Sequence, residues 1–365
     1  MSELHVAQYF ARSRRLTFPG RFLVEGLVLP EHRGPSPELS SAIMDWKGRH
    51  YWADSADGRV LVLVHELEST RERWWLHALL LAITFVTMSV AGAMLAGVAV
   101  DNRRWPTLAV IGAGLPFALS LISILLAHEL GHYAAARWYL VNASPPFFIP
   151  FPPVANVLGT MGAFIHLRSP LFDRRTLFDI GVAGPLAGLA VAIPLLTVGL
   201  ARSHIVPGAP PLALSHQLVH VDGDVIYLGD SLLLAGVRAL VAPRGVLLLH
   251  PLAIAGWAGV LVTMLNMLPM AQLDGSHVTY ALFGDAQKAI AVCFWLALAG
   301  GAVLTLDPGW GLWAVAALVI GRGSLAHPAI AIPERPLDVR RRAVARLTLL
   351  LGALCVIPMP LTIGG

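Results

Sequence analysis

The run Leu121-Ile-Ser-Ile-Leu-Leu-Ala-His-Glu-Leu-Gly-His132 puts three ionisable side chains at the end of an unbroken apolar stretch. Apolar residues dominate from Leu108 to Leu140, more than the roughly 20 that a helix needs to cross a bilayer. An ionisable group inside such a span is costly unless it is paired or has a task. Residues four apart lie on one face of a helix, so the imidazoles of His128 and His132 can both reach one Zn2+. Glu129 stands beside them and can take a proton from the water that such a metal activates. Gly131 brings no side chain to crowd the site.

Composition agrees with a membrane setting. Of 365 residues, 56% are hydrophobic and 13% charged, where a soluble domain carries about 25% charged. Mean hydropathy is +0.68. These values exclude disorder and speak against a cytosolic enzyme. No basic stripe with interleaved aromatics appears, so no nucleic-acid partner is expected. Cys293 and Cys355 lie in apolar segments and read as small buried hydrophobes rather than a CxxC metal site or a disulfide. Apolar spans are expected at Leu76–Val100, Leu108–Leu140, Leu177–Leu200, Val246–Leu268, Ala286–Leu304, a short Trp310–Ile320 and Leu347–Ile363. The fold expected is an all-α polytopic membrane protein of about six to seven transmembrane helices. It carries a re-entrant β/loop element and a small β-containing N-terminal cap. Residues 1–75 form the cap and 76–363 the membrane domain, with a catalytic core near 107–275.

The first 75 residues are polar and mixed, without the charged start and apolar centre of a secretory leader. Arg21–Leu29 and Arg59–His65 read as strands, Asp54–Gly58 as a turn, and the Pro- and Ser-rich Arg33–Ser41 as a loop. His65-Glu66 is not a second metal motif, because Ser69 stands where the next His would be. Seven spans place the cap, 141–176, 269–285 and 321–346 on one side. Of the 26 Lys and Arg, only Arg103, Arg104, Arg202, Arg238 and Arg244 fall on the other side. The positive-inside rule then makes the cap side cytoplasmic.

Two further polar features belong with the first. Two His ligands leave a catalytic zinc one protein ligand short. Asn266-Met-Leu-Pro-Met-Ala-Gln-Leu-Asp-Gly275 ends the fourth span on the cap side, and Asp274 is the best third ligand. Pro269 breaks the helix and Gly275 eases the turn. Pro145–Pro153 is apolar and too rich in proline for a helix; Gly159-Thr-Met-Gly-Ala-Phe-Ile-His166 follows it. Non-helical backbone at membrane depth must be buried or line a wet cavity. A re-entrant strand here can pair with an unwound substrate, with Gly159, Thr160 and Gly162 as candidate substrate contacts. His166 reads as structural, and His204, His216, His220, Asp222 and Asp224 as parts of a solvated loop over 201–245.

Taken together, HELGH and the later NxxPxxxLDG resemble the paired signature of the site-2 protease family of intramembrane zinc metallopeptidases. Further motifs are similar to its plastid and bacterial branch, which includes the ethylene-dependent gravitropism-deficient proteases. They are Gly159–Phe164, Phe178-Asp-Ile-Gly-Val-Ala-Gly-Pro-Leu-Ala-Gly188, Ala255–Gly259, Gln272–Gly275, Tyr280–Gly284 and His327-Pro328. The resemblance implies one Zn2+ on His128, His132 and Asp274, with Glu129 as general base and Asn266 holding the substrate backbone. Where that branch has LDGGH, this chain has Leu273-Asp-Gly-Ser-His277, and Ser276 is small enough for the turn. Gly181, Gly184 and Gly188 suit close helix packing, and His277 is either a support to the metal ligands or an interface residue. The expected activity is endopeptidase cleavage within or next to a transmembrane segment of a membrane-protein substrate, with release toward the cytoplasm. The lipid bilayer is the other partner. Alternatives from other classes are a catalytically silent membrane-protein binder or chaperone, which has no need of Glu129, and an ion path. Arg outnumbers Lys by 24 to 2, which suits a high-GC bacterium and its inner membrane. Substrate identity and oligomeric state are not legible.

Overall fold

A computed structural model of the chain describes residues 2–18, 21–46, 48–55, 58–66, 72–100, 106–168, 171, 173–209, 215–221, 224–306, 308–321, 323–328, 330 and 336–363. The cap contains α1 (Ser2–Ala7), β1 (Phe10–Phe18), β2 (Arg21–Val28), α2 (Pro37–Met44), β3 (Arg49–Ser55) and β4 (Gly58–Glu66). Its strands form one antiparallel sheet in the order β1-β2-β4-β3. β4 is apolar almost without alternation because both its faces are covered. Leu61 and Leu63 pack with Val6, Leu39 and Trp46 on the helix-covered face. Val60, Val62 and Val64 pack with Val141, Leu177 and Phe178 of the helical part. The cap is thus seated on the helices through its own sheet. The loop expected over Arg33–Ser41 is corrected: α2 begins inside it. Ser36 caps the helix, its hydroxyl accepting from the Leu39 amide, and Pro37 takes the first helical position, which Pro favours. In the expected turn at 54–58, residues 56–57 lie outside the described residues.

The helical part runs through α3 (Trp74–Leu95), α4 (Leu108–Trp138), β5 (Phe147–Pro150), β6 (Thr160–Phe164) and α5 (Arg174–Ala201). It continues with β7 (His204–Ile205), β8 (Gln217–Val221), β9 (Asp224–Leu228), α6 (Leu232–Val241), β10 (Leu247–Leu248), α7 (Pro251–Asn266) and α8 (Asp274–Phe283). The last elements are α9 (Ala286–Thr305), α10 (Pro308–Ile320), α11 (Val339–Leu354) and β11 (Leu361–Ile363). Among the described residues, α3, α4, α5 and α9 are long and apolar enough to cross a membrane, and Leu232–Val241, Pro251–Asn266 and Gly309–Val319 are shorter apolar helices. α4 packs against α3, α5 and α7, and a shared core of Phe117, Leu121, Leu189, Leu196 and Trp257 fills the contact.

Several span expectations change. α3 stops at Leu95, and α7 is preceded by strand β10. Leu347–Ile363 is not one span, because α11 starts earlier and stops at Leu354. Pro358 and Pro360 withhold backbone donors and push their predecessors out of the helical region. The chain there turns into β11, which pairs with β9. The fold is mostly helical as expected, with more strand outside the cap than expected. Strands β7, β8, β9, β10 and β11 build a five-stranded sheet in the order β11-β9-β8-β10-β7, where a solvated loop over 201–245 was expected. Its strands are too short for a period-two signal, and its partners are far apart in sequence. His216 bonds to Asp230 at 3.1 Å, Asp222 lies outside the described residues, and no metal-ligating group of three gathers there among the described residues. Cys355 is buried as expected, whereas Cys293 is exposed on α9.

Candidate metal centre

α4 delivers His128 and His132 one turn apart, and both rings are buried. They face α5 where that helix has no side chains. A Cβ on Gly184 would stand 2.0 Å from His132 Nε2, and one on Gly188 3.2 Å from His128 Nδ1. The glycine spacing on α5 is therefore a cradle for the imidazoles as well as a packing seam. Gly131 differs from its expected role: its Cβ would strike the Ala183 carbonyl at 2.4 Å, so it brings α4 and α5 together. His132 Nδ1–H donates to the Ile180 carbonyl at 2.7 Å, which leaves the Nε2 lone pair facing the site.

Asp274 arrives from the first turn of α8, where the helix N-terminus favours a carboxylate. The three donor atoms form a small triangle. His128 Nε2 lies 3.1 Å from His132 Nε2, and Asp274 Oδ2 lies 3.2 Å from His132 Nε2 and 3.3 Å from His128 Nε2. Donors about 2.0–2.1 Å from a tetrahedral zinc stand about 3.3 Å apart. Two imidazole nitrogens and a carboxylate at these separations fit that ion, and among the described residues they are the one such cluster.

The donors open into a cavity of about 310 Å³ that also takes in Glu129 and Asn266. The Glu129 carboxylate is buried and shares this cavity with Ile165, just past β6. Asn266 brings its amide to 3.1 Å from His128 Nε2. The far wall is Ala163–Leu167. β5 and β6 form the antiparallel hairpin of the expected re-entrant element, clamped to α3 at two places. His77 Nδ1 lies 3.0 Å from the Pro146 carbonyl, and the Thr87 hydroxyl donates to the Gly159 carbonyl at 2.7 Å.

The expected substrate contacts separate here. None of Gly159, Thr160 and Gly162 lines the metal cavity. Gly159 turns the hairpin at φ +70, packed on α3 at Thr87. Thr160 is buried and gives its hydroxyl to the Ile149 carbonyl at 2.8 Å. Thr160 and Gly162 line a neighbouring apolar cavity instead. His166 borders the metal cavity, and so does His277, whose Nδ1 lies 2.8 Å from His327 Nε2. Gly275 is placed for close packing rather than for a turn, since its Cβ would meet the Met267 carbonyl at 2.0 Å.

Sequence reasoning missed Gln287. This fully buried amide at the start of α9 donates to the Pro269 carbonyl (2.9 Å) and the Ser276 hydroxyl (3.0 Å), and its oxygen accepts from the His327 amide (2.9 Å). It clamps the segment between Asn266 and Asp274 from outside. Ser276, the one visible departure from the family pattern, supplies one of the clamped atoms. A Gln at the start of an apolar run carries no such message by itself.

A two-histidine helix, a carboxylate from a later helix and a buried Glu thus meet in one cavity of an apolar helical fold, an arrangement that suits a membrane zinc peptidase site. The sequence profile of Peptidase family M50 matches residues 116–298, half of the chain, and the chain belongs to that family, the site-2 type. Its cofactor is Zn2+. The chain is similar to the rice protein (Oryza sativa subsp. japonica) named "Probable zinc metalloprotease EGY1, chloroplastic", with 36% identity over 263 residues, covering 68% of this chain and 41% of that one. It is 40% identical over 181 residues to the Arabidopsis thaliana protein of the same name, covering 48% and 30% of the two. With Arabidopsis "Probable zinc metalloprotease EGY2, chloroplastic" the identity is 29% over 259 residues, covering 69% and 43%. The chain thus spans less than half the length of these relatives. No solved structure matches it.

Proposed function

We propose that this chain is an intramembrane endopeptidase that hydrolyses peptide bonds within or next to transmembrane segments of membrane proteins. The observation that carries the proposal is the convergence of His128, His132 and Asp274 in one cavity with a buried Glu129 beside a strand end. His128, His132 and Asp274 hold the Zn2+. When bound, that ion supplies Lewis acidity to a carbonyl oxygen and acidifies a water. Glu129 takes the proton of the attacking water and passes it to the nitrogen of the leaving amine. Asn266 holds the substrate backbone next to His128. A helical substrate hides its amides, so it must unwind before attack, and the β6 edge offers the unwound stretch a strand to pair with.

The distribution of Lys and Arg supports a cytoplasmic cap and release of a fragment on that side. The excess of Arg over Lys supports a multi-pass protein of a bacterial inner membrane. The test uses the purified full chain with single-span substrates, comparing wild type with Glu129→Gln, with and without chelator, and mapping cuts by mass spectrometry. Cleavage inside a span, lost in both controls, is expected. Equal function of Glu129→Gln and wild type in cells, with no cut detected, would instead make the chain a binder.

A further inference from the structure

We infer that the apolar cavity next to the metal centre is a specificity subsite for one large apolar side chain of the substrate. That residue lies about two to three positions from the scissile bond, toward the membrane interior. The inference rests on the protease reading and adds a substrate class to it.

The cavity has a volume of about 260 Å³ and is walled by Leu121 and Leu125 of α4, Trp257 and Leu261 of α7, and Thr160–Gly162 of β6. The same three elements build the metal cavity a few residues further on. On α4, Leu125 stands one turn before His128. On α7, Leu261 precedes Asn266 by about 7–8 Å at 1.5 Å per residue. On β6, Thr160–Gly162 run directly into Ala163–Ile165. The two cavities are therefore consecutive stations along one track, polar at the metal and apolar beside it.

The strand sets the spacing. Gly162 lies about 10 Å before Ile165 at roughly 3.3 Å per residue, and a peptide laid along β6 advances at the same rate. With the scissile bond held against Glu129 near Ile165, a side chain two to three residues away reaches the apolar cavity. Room for it is visible on the strand: Gly162 has φ +102, and a Cβ there would meet nothing within 4 Å. The walls are almost wholly hydrocarbon, so a charged side chain would enter without partners at high cost. An apolar side chain is favoured by its size, about 10–200-fold for small differences in such a pocket.

The experiment uses the full chain in lipid nanodiscs with single-span substrates. Each residue flanking the mapped cut is varied in turn among Ala, Leu, Phe and Asp, and kcat/KM is read for each. One position on the interior side should favour Leu or Phe over Ala by about tenfold or more and reject Asp. Leu261→Trp, which fills the cavity, should reverse that order at the same position and at no other. A flat profile, or Leu261→Trp slowing every substrate by one factor, overturns the subsite. As a second arm, Glu129→Gln is mixed with a substrate carrying photoreactive benzoylphenylalanine at that position. Crosslinking to Met161 or Leu261 is expected, and crosslinks elsewhere or to lipid overturn the subsite even where cleavage is seen. No cleavage of any substrate by wild type would overturn the protease reading and the subsite with it, whereas cleavage with a flat profile overturns the subsite alone.

Discussion

The metal centre has two arms, and they are built on different principles. His128 and His132 sit on one continuous helix, so the pitch of α4 alone brings their rings together. Asn266 and Asp274 sit on either side of a break between α7 and α8. That break contains Ala271 in the left-handed region at φ 55, with its amide held by the Leu325 carbonyl at 2.9 Å. Local turn bonds, from the Met270 amide to the Leu268 carbonyl at 2.9 Å and from the Leu273 amide to the Met270 carbonyl at 3.2 Å, shape only part of this segment. Gln287 from α9 and residues 325–327 hold it from outside. One arm is therefore rigid through secondary structure, and the other depends on distant residues.

The largest effect sits on the rigid arm. His132→Ala removes one corner of the three-donor triangle, and zinc per chain by elemental analysis should fall toward zero together with all cleavage. Retention of a full zinc equivalent would break the donor triangle. Glu129→Gln should keep the zinc and lower kcat by about 100- to 10,000-fold, the usual worth of a general base. Loss of zinc in that variant would show that Glu129 is part of the ligand set.

The borrowed arm is tested through Gln287, which touches none of the donors. Gln287→Leu should weaken zinc affinity by about 10–100-fold, as removal of outer-shell partners does elsewhere. Chelator competition reads this, while circular dichroism checks that the helices persist. Ser276→Gly, which removes one of the clamped atoms, should have a smaller effect of the same sign. Unchanged affinity in Gln287→Leu would mean that the loop holds its own shape and that the two arms are alike.

The smallest effect concerns the strand wall. Arg168, between β6 and α5, pairs with Glu72 at the foot of α3, with one bond of 3.1 Å and a shorter one beside it. The guanidinium holds the Glu72 carboxyl below its ordinary value. Because that pKa is depressed on folding, the pair contributes above the ordinary glutamate value of about 4.3 and is lost as pH falls through the lowered one. The pair is partly exposed and is worth about 1 kcal/mol or less. Protection factors over residues 144–168, taken against the intrinsic exchange rate at each pH, should fall at acid pH in wild type. In Glu72→Gln they should be lower already at neutral pH and should lose that part of their pH dependence.

Legibility followed the same division. The helix spacing of His128 and His132, the strands at Arg21–Leu29 and Arg59–His65, and the chain break before Asp274 were readable because each rests on local periodicity or on a break signal. Helix α2 was misread because Ser36 and Pro37 serve a helix start as well as a loop. The five-stranded sheet was missed because two- to five-residue strands show no period and β11 comes from the far end of the chain. Thr160 was expected against the substrate; its hydroxyl is spent inside the hairpin on Ile149, and it lines the apolar cavity rather than the metal cavity.

By itself the sequence pointed to a membrane-embedded chain with two histidines one turn apart on a helix, Glu129 beside them and a distant aspartate as the candidate third ligand. Each of these follows from residue type and spacing along one helix or at one break. Only the tertiary structure decided that glycines of α5 make room for the imidazoles, that Gln287 holds the aspartate arm, and that an apolar cavity adjoins the metal. Those features arise where elements far apart in sequence meet, and no period within any one of them encodes the meeting.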